Sequence, residues 1–592
     1  MRKRWKCYIF IITITATLLV GCSSSQNSQV ESETPNANNT ENPLTTSDTN
    51  TISTSTVVID KEFTASDLDV GFEESTATHI TLSDTNIDVS GNGASSKDGI
   101  LTINDEGTYV ITGTITDGQI VVDAQDTDKL QIVLNGVSIT CADFAPIYIK
   151  SADKVFITLQ ENTLNTLIDG TEYVQIDDKN VDGVIYSRAD LTINGSGTLN
   201  ITGNYKHGII SKDDLVITGG TFNITTVKDA LNGKDCVKIK DGTFTLSSTT
   251  GNGIQSKNGD DTTKGYVYIS GGNINVVKCS EGIEGTVIII EDGTINVVAD
   301  DDGFNAASGT ADTTDTTNTT NTTDVKNSTD TTDTATNGKE PKNSEGTIPD
   351  STTADNSSTN GSTFNPQQNG FGGKGQGGFG GGENPFEVDT NCYISIEGGN
   401  ITIDASGDGI DSNGSLYISG GTLYLNGPTS GGDGGLDYNG IAQITGGAVI
   451  VVGSSGMAQG FSDTSTQYSL LYNLTAASEA GTEVKLTDSE GNVVISYIPS
   501  KQYQSVVIST PELKKDGTYT LTSGDQTADI TLTSVVTSNG EQGMGGQGMG
   551  RPGAGGQGMA RPDMEGQERP EGMPDMENIP SDGSPNEGTT PE

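Results

Sequence analysis

One phrase constrains this chain more than any other. The pattern Ile-x-Gly-Gly-x-apolar-x-apolar first stands at Ile217-Thr218-Gly219-Gly220-Thr221-Phe222-Asn223-Ile224, and it returns at Ile269–Val276, Ile396–Ile403, Ile418–Leu425 and Ile444–Val451. Looser copies at Ile193–Ile201, Ile239–Leu246 and Ile290–Val297 bring the spacing to between twenty and thirty residues. A unit this short cannot bury its own apolar face, so a repeat of this length implies stacking. Within a unit, Leu215, Ile217, Phe222 and Ile224 alternate with Val216, Thr218, Thr221 and Asn223. That alternation gives two short strands around a Gly-Gly turn. Stacking then places equivalent residues about 4.8 Å apart. The expected fold is all-β, a right-handed single-stranded parallel β-helix over residues 57–456.

Composition agrees with a narrow core and a large wet surface. The 592 residues include 78 glycines, with only 31% hydrophobic and 5% aromatic residues, too lean for several globular cores. The net charge is −48, and it falls to −52 once Arg2, Lys3, Arg4 and Lys6, the only charges in the first 21 residues, are removed. Such a surface repels phosphate backbones, which excludes nucleic acid as a partner and favours divalent cations.

The basic start and the apolar run ending Leu19-Val20-Gly21-Cys22 have the form of a bacterial lipoprotein signal, residues 1–21. The run is too short to span a membrane. Cys22 is the expected lipid anchor, giving an extracytoplasmic monomer exposed at the cell surface and touching the membrane through its lipid alone. Residues 22–56 are expected to be a disordered tether with a reach of roughly 30 Å. A Thr/Asp/Asn- and then Gly-rich stretch at 308–388 interrupts the repeat, and the pattern resumes in phase after it, as a disordered insertion would allow. Residues 457–536 carry hairpin signals such as Ser489-Glu490-Gly491-Asn492 and are expected to form a small β-sandwich-like domain. The Gly/Met/Pro-rich residues 537–592 are expected to be a disordered tail. Cys141, Cys236, Cys279 and Cys392 lack zinc spacing and are read as isolated thiols, with one disulfide as the alternative.

Chemistry concentrates at the corners. They read Asp229-Ala230-Leu231-Asn232, Asn252-Gly253-Ile254-Gln255, Glu281-Gly282-Ile283-Glu284, Asp302-Gly303-Phe304-Asn305, Asp408-Gly409-Ile410-Asp411 and Asp433-Gly434-Gly435-Leu436-Asp437. Stacking aligns their oxygens, and two carboxylates about 5 Å apart repel by roughly 3 kcal/mol at an effective dielectric of 20. Ca²⁺, which takes six to eight oxygens, would offset that repulsion. The expected ligands are Glu281, Glu284, Asp300, Asp301, Asp302, Asn305, Asp408, Asp411, Asp433 and Asp437. Turn-forming Asp and Asn on a solvated edge are the plainer explanation, but a turn does not require a second acid three positions on.

A second column, Lys212, Lys234 and Lys257, follows His207, Asp229 and Asn252 by five residues. Beside bound cations it could hold the carboxylates of a uronate chain, or it could neutralise nearby acids. Lysine next to Ca²⁺ also suits β-elimination, although nothing in the sequence marks one lysine as a base, and no catalytic residue is assigned. His207 is read as a surface residue.

At this point Gly107–Gly113 (GTYVITG), Asp117–Val122 (DGQIVV), Val133–Val137 (VLNGV), Ile210–Leu215 (ISKDDL) and Lys264–Ile269 (KGYVYI) make the chain resemble the clostridial-type carbohydrate-binding β-helix lipoproteins, which are akin to pectate lyases. The resemblance covers roughly residues 60–540. It implies a right-handed parallel β-helix, calcium sites and binding to cellulose and pectic acid. The family's Asp-Gly corners are replaced by His207, Asn252 and Glu281, with Ala230 for glycine, so the metal roles carry mainly to the later corners. With Trp5 the only tryptophan, sugar stacking would fall to tyrosines such as Tyr266, Tyr268, Tyr417 and Tyr424. The function expected is calcium-dependent binding of acidic pectin-like or β-glucan chains. A polygalacturonate lyase and a surface or coat structural protein are the alternatives.

Overall fold

The computed structural model describes residues 59–84, 86–309 and 387–540. Cys22 and the signal before it, the tether, most of the 308–388 insertion and the tail beyond 540 lie outside them. The described residues are all-β apart from one helical turn, Ala65–Leu68.

From Asp190 to Asn426 each strand pairs in parallel with the strand one turn later. Asp214–Ile217 pairs with Cys236–Ile239, Thr221–Thr226 with Thr243–Ser248, and Leu231–Gly233 with Ile254–Ser256. The chain therefore coils, three strands to a turn, as in a parallel β-helix. We call the three resulting sheets the first, second and third walls, in the order of those three pairs. The first two are joined into one 25-stranded sheet by the long strands Gly107–Ile115 and Lys129–Thr140; the third is a separate 12-stranded sheet. What the sequence suggests is a corner is thus a wall in its own right.

The interior follows from the alternation. Phe222 and Phe244 occupy one column and stack with ring centroids 4.8 Å apart and planes 5° apart, the strand spacing expressed in side chains. Leu215, Val237, Val267, Ile288, Ile394 and Leu416 fill another, each fully buried. The Gly-Gly turn between the first and second walls needs both glycines, for different reasons. Gly421 has φ +78°, where a side chain is strained, and a Cβ on Gly420 would stand 2.2 Å from the carbonyl oxygen of Glu397 one coil below.

The coils on either side of the 308–388 insertion pair without a slip: Val287 lies opposite Tyr393, Thr294 opposite Asn400 and Phe304 opposite Ile410. Ser308 hydrogen-bonds Asp389, so the two ends of that segment meet.

Residues 457–540 continue the large sheet. Ala448–Gly453, in the last coil, pairs antiparallel with Tyr503–Ser509, which pairs antiparallel with Ser469–Ser478. Val536–Gly540 then adds in parallel to Ser469–Ser478, so residues 537–540, expected in the tail, are strand. A four-stranded sheet, Val484–Asp488 with Val493–Tyr497, Thr518–Ser523 and Gln526–Thr531, closes a second core around Ile450, Leu486, Tyr503 and Leu521.

Before the coil begins, the segment from Ile59 to Gly71 lies along the outside of the first wall as a strap. Ile59 and Phe63 pack on Tyr266, Tyr268, Val287 and Ile289. Lys61 pairs with Glu291 at 2.9 Å and Glu397 at 3.2 Å, and Lys238 reaches Asp60 at 3.0 Å. Thr64 and Asp67 form a capping box on the helical turn. Asp67 also meets Lys154 at 2.8 Å and Thr192 at 2.6 Å. Burial alone would raise the Asp67 carboxyl, but the Lys154 ammonium and the hydroxyls of Thr192 and Thr64 hold it down to about 2. The strap corrects one expectation. Tyr266 and Tyr268 are only 7% and 4% exposed beneath it and cannot stack on a sugar.

The four cysteines among the described residues, Cys141, Cys236, Cys279 and Cys392, are buried and free.

Candidate functional site

The third wall carries the site. Its strands are only three to five residues long, and from Leu231 onward each is preceded by a small residue, Ala230, Gly253, Gly282, Gly303, Gly409 or Gly435, that lets successive backbones approach. A Cβ on Gly282 would stand 2.3 Å from the carbonyl oxygen of Gly303, and one on Gly303 2.4 Å from that of Gly409. Two polar columns flank the buried apolar one. The first runs His207, Asp229, Asn252, Glu281, Asp302, Asp408; the second runs Asn232, Gln255, Glu284, Asn305, Asp411, Asp437.

The first column has a structural task that the sequence does not disclose. Asp229 accepts the backbone N–H of Asn252 at 2.9 Å, and Asn252 accepts that of Glu281 at 3.1 Å. Likewise Asp302 accepts from Asp408 at 2.7 Å and Asp408 from Gly434. Each short oxygen-bearing side chain satisfies the turn of the next coil, which is why Asp and Asn recur there. This uses one oxygen of each carboxylate.

The remaining oxygens converge at one place. Ligand atoms of Asp302, Asp408 and Asp411 lie within 4.8 Å of one another. Burial, then Asp301 and Asp408, push the Asp302 carboxyl up to about 8. Burial and neighbouring acids likewise raise Asp408 to about 7 and Asp411 to about 6. In the second column Asn305 stands between Glu284 and Asp411, and its buried Oδ1 has no hydrogen-bond partner among the described residues. Three crowded carboxylates and an unsatisfied amide oxygen fit a hard cation, whose ligands are oxygens.

The other expected ligands divide. Glu284 is spent on Lys257, Asn252 and Gln255. Glu281 is half-buried beside it and is pushed up to about 8, first by desolvation and then by Glu284. Asp437 accepts from Gln459 at 2.6 Å and Asp433 from Ser430 at 2.7 Å. Asp300 and Asp301 are exposed and outside the cluster.

The lysine column is longer than its three sequence-predicted members. Lys150 and Arg188 hold the same register position on the two preceding coils, so five successive coils present a cation. Several are engaged: Lys150 with Asp123 at 2.8 Å, Lys234 with Asp260 at 3.0 Å, Lys257 with Glu284. Lys212 lies over the Tyr186 ring, 5.4 Å from its centroid.

Two features escaped the sequence reading. His207 is set between buried acids, with Nδ1 3.2 Å from Asp229 and Nε2 3.9 Å from Asp182. A second acid group, Asp190, Asp213 and Asp214, lies within 4.8 Å at the junction of the third and first walls. Asp213-Asp214 is visible in the sequence as a pair, but its meeting with Asp190 depends on the stacking.

Residues 97–369 match the family model described as carbohydrate-binding domain-containing protein. A 124-residue stretch is 43% identical to a carbohydrate-binding domain-containing protein of Acetivibrio thermocellus. That alignment covers 21% of this chain and 43% of the relative, so the chain spans less than half the length of the protein it matches. It is also similar to a solved structure, the gadolinium derivative of the polysaccharide lyase-like protein from C. thermocellum. The identity is 34%, with 37% of this chain and 90% of the other covered and a TM-score of 0.34.

Proposed function

We propose that this protein binds polysaccharide, and that Ca²⁺ held by Asp302, Asp408 and Asp411, with Asn305 alongside, bridges the third wall to acidic glycan chains. The observation that carries the reading is the convergence of those groups, of which Asp302 and Asn305 fall in the stretch 97–369 that matches the carbohydrate-binding domain model. Without a cation, the wall's acids would repel a uronate polymer. With one, the basic column from Lys150 to Lys257 lies along the same wall to receive further carboxylates.

The test is polygalacturonate binding, measured by affinity electrophoresis in calcium and in chelator. Chelator should lower affinity at least tenfold, and Lys212→Ala with Lys234→Ala and Lys257→Ala should weaken the calcium-dependent binding severalfold. Equal retardation with and without calcium would remove the bridging role.

We also infer a lipid anchor at Cys22, an extracytoplasmic location and a right-handed coil. The first two rest on the signal-like run before Cys22; the hand rests on the near-universal right-handedness of parallel crossovers. Incorporation of labelled fatty acid, lost in Cys22→Ser, tests the anchor, and a crystal structure would decide the hand.

A further inference from the structure

Where the chain leaves the strap and enters the large sheet, the surface is hollowed into an open cleft of about 430 Å³. Its floor is the outer side of two paired strands, Thr78–Ser83 and Gly107–Ile115, with His79 opposite Val110 and Thr81 opposite Thr112. The residues between them, Ile80, Leu82 and Ile111, belong to the core behind. Phe72 and Glu74, at the end of the strap, make one rim, and Asn135, Gln160 and Glu161 make the other.

The far rim is held from beneath. The register between Gly107–Ile115 and Lys129–Thr140 slips between Ile111 and Gly113, and the resulting bulge at Asn135 and Gly136 re-aims the side chain there. The N–H groups of Gly136 and Val137 both donate to Asn165 at 3.0 Å, and Asn165 is fully buried. Its amide donates to the Thr163 hydroxyl at 3.2 Å, which donates to the carbonyl of Gln160 at 2.7 Å. One buried asparagine therefore fixes both the bulge and the Gln160 turn. The groups presented to the cleft are unspent: the side chains of Asn135, Gln160, Glu161, Thr81 and Thr112 make no hydrogen bond among the described residues. Glu74 stands 3.6 Å from His79 Nε2, too far for a hydrogen bond, which leaves its oxygens for a ligand.

We propose that this cleft binds a short amino saccharide, a cationic sugar such as two linked glucosamines. The lining selects that class. It carries Glu74 and Glu161 and no lysine or arginine, so it repels a uronate and attracts an ammonium. Phe72 offers a ring face beside those carboxylates, to the apolar side of a pyranose or to the cation itself. The amides and hydroxyls pair with ring hydroxyls, whereas a bare polyamine would leave them without partners. The volume falls within the roughly 300–1,000 Å³ of small-molecule sites, and it is too small for a folded partner. The proposal goes beyond the calcium reading of the third wall and shares no residue with it.

The experiment is calorimetric titration of the chain with the glucosamine dimer in about 0.15 M salt, which screens loosely held cations. A dimer is used because a long polycation would adhere to any surface of a chain with net charge −48. Cellobiose, with hydroxyls in place of the amines, is the neutral comparison and should bind at least tenfold more weakly. Glu74→Gln with Glu161→Gln should lower dimer affinity at least tenfold, and Phe72→Ala at least threefold. Asp98→Asn with Asp300→Asn removes the same charge from exposed positions outside the cleft and should leave dimer affinity unchanged. If the glutamate variant fails to melt cooperatively, Phe72→Ala decides. No detectable dimer binding by the wild-type chain, or undiminished binding by the folded variants, overturns the proposal. Cellobiose bound as tightly as the dimer overturns the amino-sugar class, and an equal loss in the Asp98 and Asp300 variant reduces the binding to general attraction and overturns the site. Polygalacturonate binding in calcium should be unchanged in the glutamate variant, so the cleft and the third wall are tested separately.

Discussion

Millimolar calcium should raise the thermal midpoint of the chain, and Asp302→Asn with Asp411→Asn should abolish most of that rise. A ligand that binds only the folded cluster stabilises it by mass action, by about 2.7 kcal/mol when its concentration is a hundredfold above its dissociation constant. The double substitution should have the opposite effect in chelator, leaving the midpoint at or above wild type, because it relieves repulsion among partly buried acids. Asp302 can be replaced without losing its turn, since asparagine keeps the oxygen that accepts the N–H of Asp408. Asp300→Asn, at an exposed residue outside the cluster, serves as the control and should leave the calcium shift intact. An identical wild-type midpoint in calcium and chelator would sink the cation site.

The second large effect concerns pH, and its sign is unusual for carboxylates. Asp302, Asp408 and Asp411 are raised to about 8, 7 and 6, chiefly by burial and then by one another, from an unperturbed value near 4. Between those limits these three groups hold more protons folded than unfolded, so their contribution to stability is fully present below about pH 4 and declines as pH rises toward 8. In chelator the midpoint should therefore fall between pH 5 and 8, by on the order of 5 °C. Calcium competes with those protons, so its stabilising effect should be small at pH 5 and largest at pH 8. Thermal scans across that range with and without calcium measure both arms. A calcium increment that shrinks as pH rises would contradict the linkage.

Much of the coil was legible because it obeys two simple rules. Alternation places Leu215, Ile217, Phe222 and Ile224 inside, and each Gly-Gly marks a bend, so the pairing of Phe222 with Phe244 could be written down from spacing alone. The third wall was not legible as a sheet. A strand such as Leu231–Gly233 is too short to display alternation, and its Asp, Asn and Gly residues are also those of turns. The expected ligand set came out partly dispersed for a related reason. Side-chain capping of the next coil and lateral bonds, such as those of Glu284 with Lys257 and Asn252, depend on which residues stack. The strap was invisible because Ile59–Gly71 has no repeat, and with it went the burial of Tyr266 and Tyr268. His207 was misjudged for the same want of context, since Asp182 and Asp229 lie 25 and 22 residues away in sequence.

The strap also dictates an order of events. Lys61 and Glu291 are separated by 230 residues and Lys61 and Glu397 by 336, whereas neighbouring coils join residues only a few tens apart. Contacts between sequence neighbours close small loops and form early, and contacts across hundreds of residues must wait for the loops between them to close. The strap has no surface to dock on until the strands bearing Tyr266, Glu291 and Glu397 are assembled. The first described residues of the chain are therefore among the last to reach their places, and their arrival clasps together coils that were made one after another.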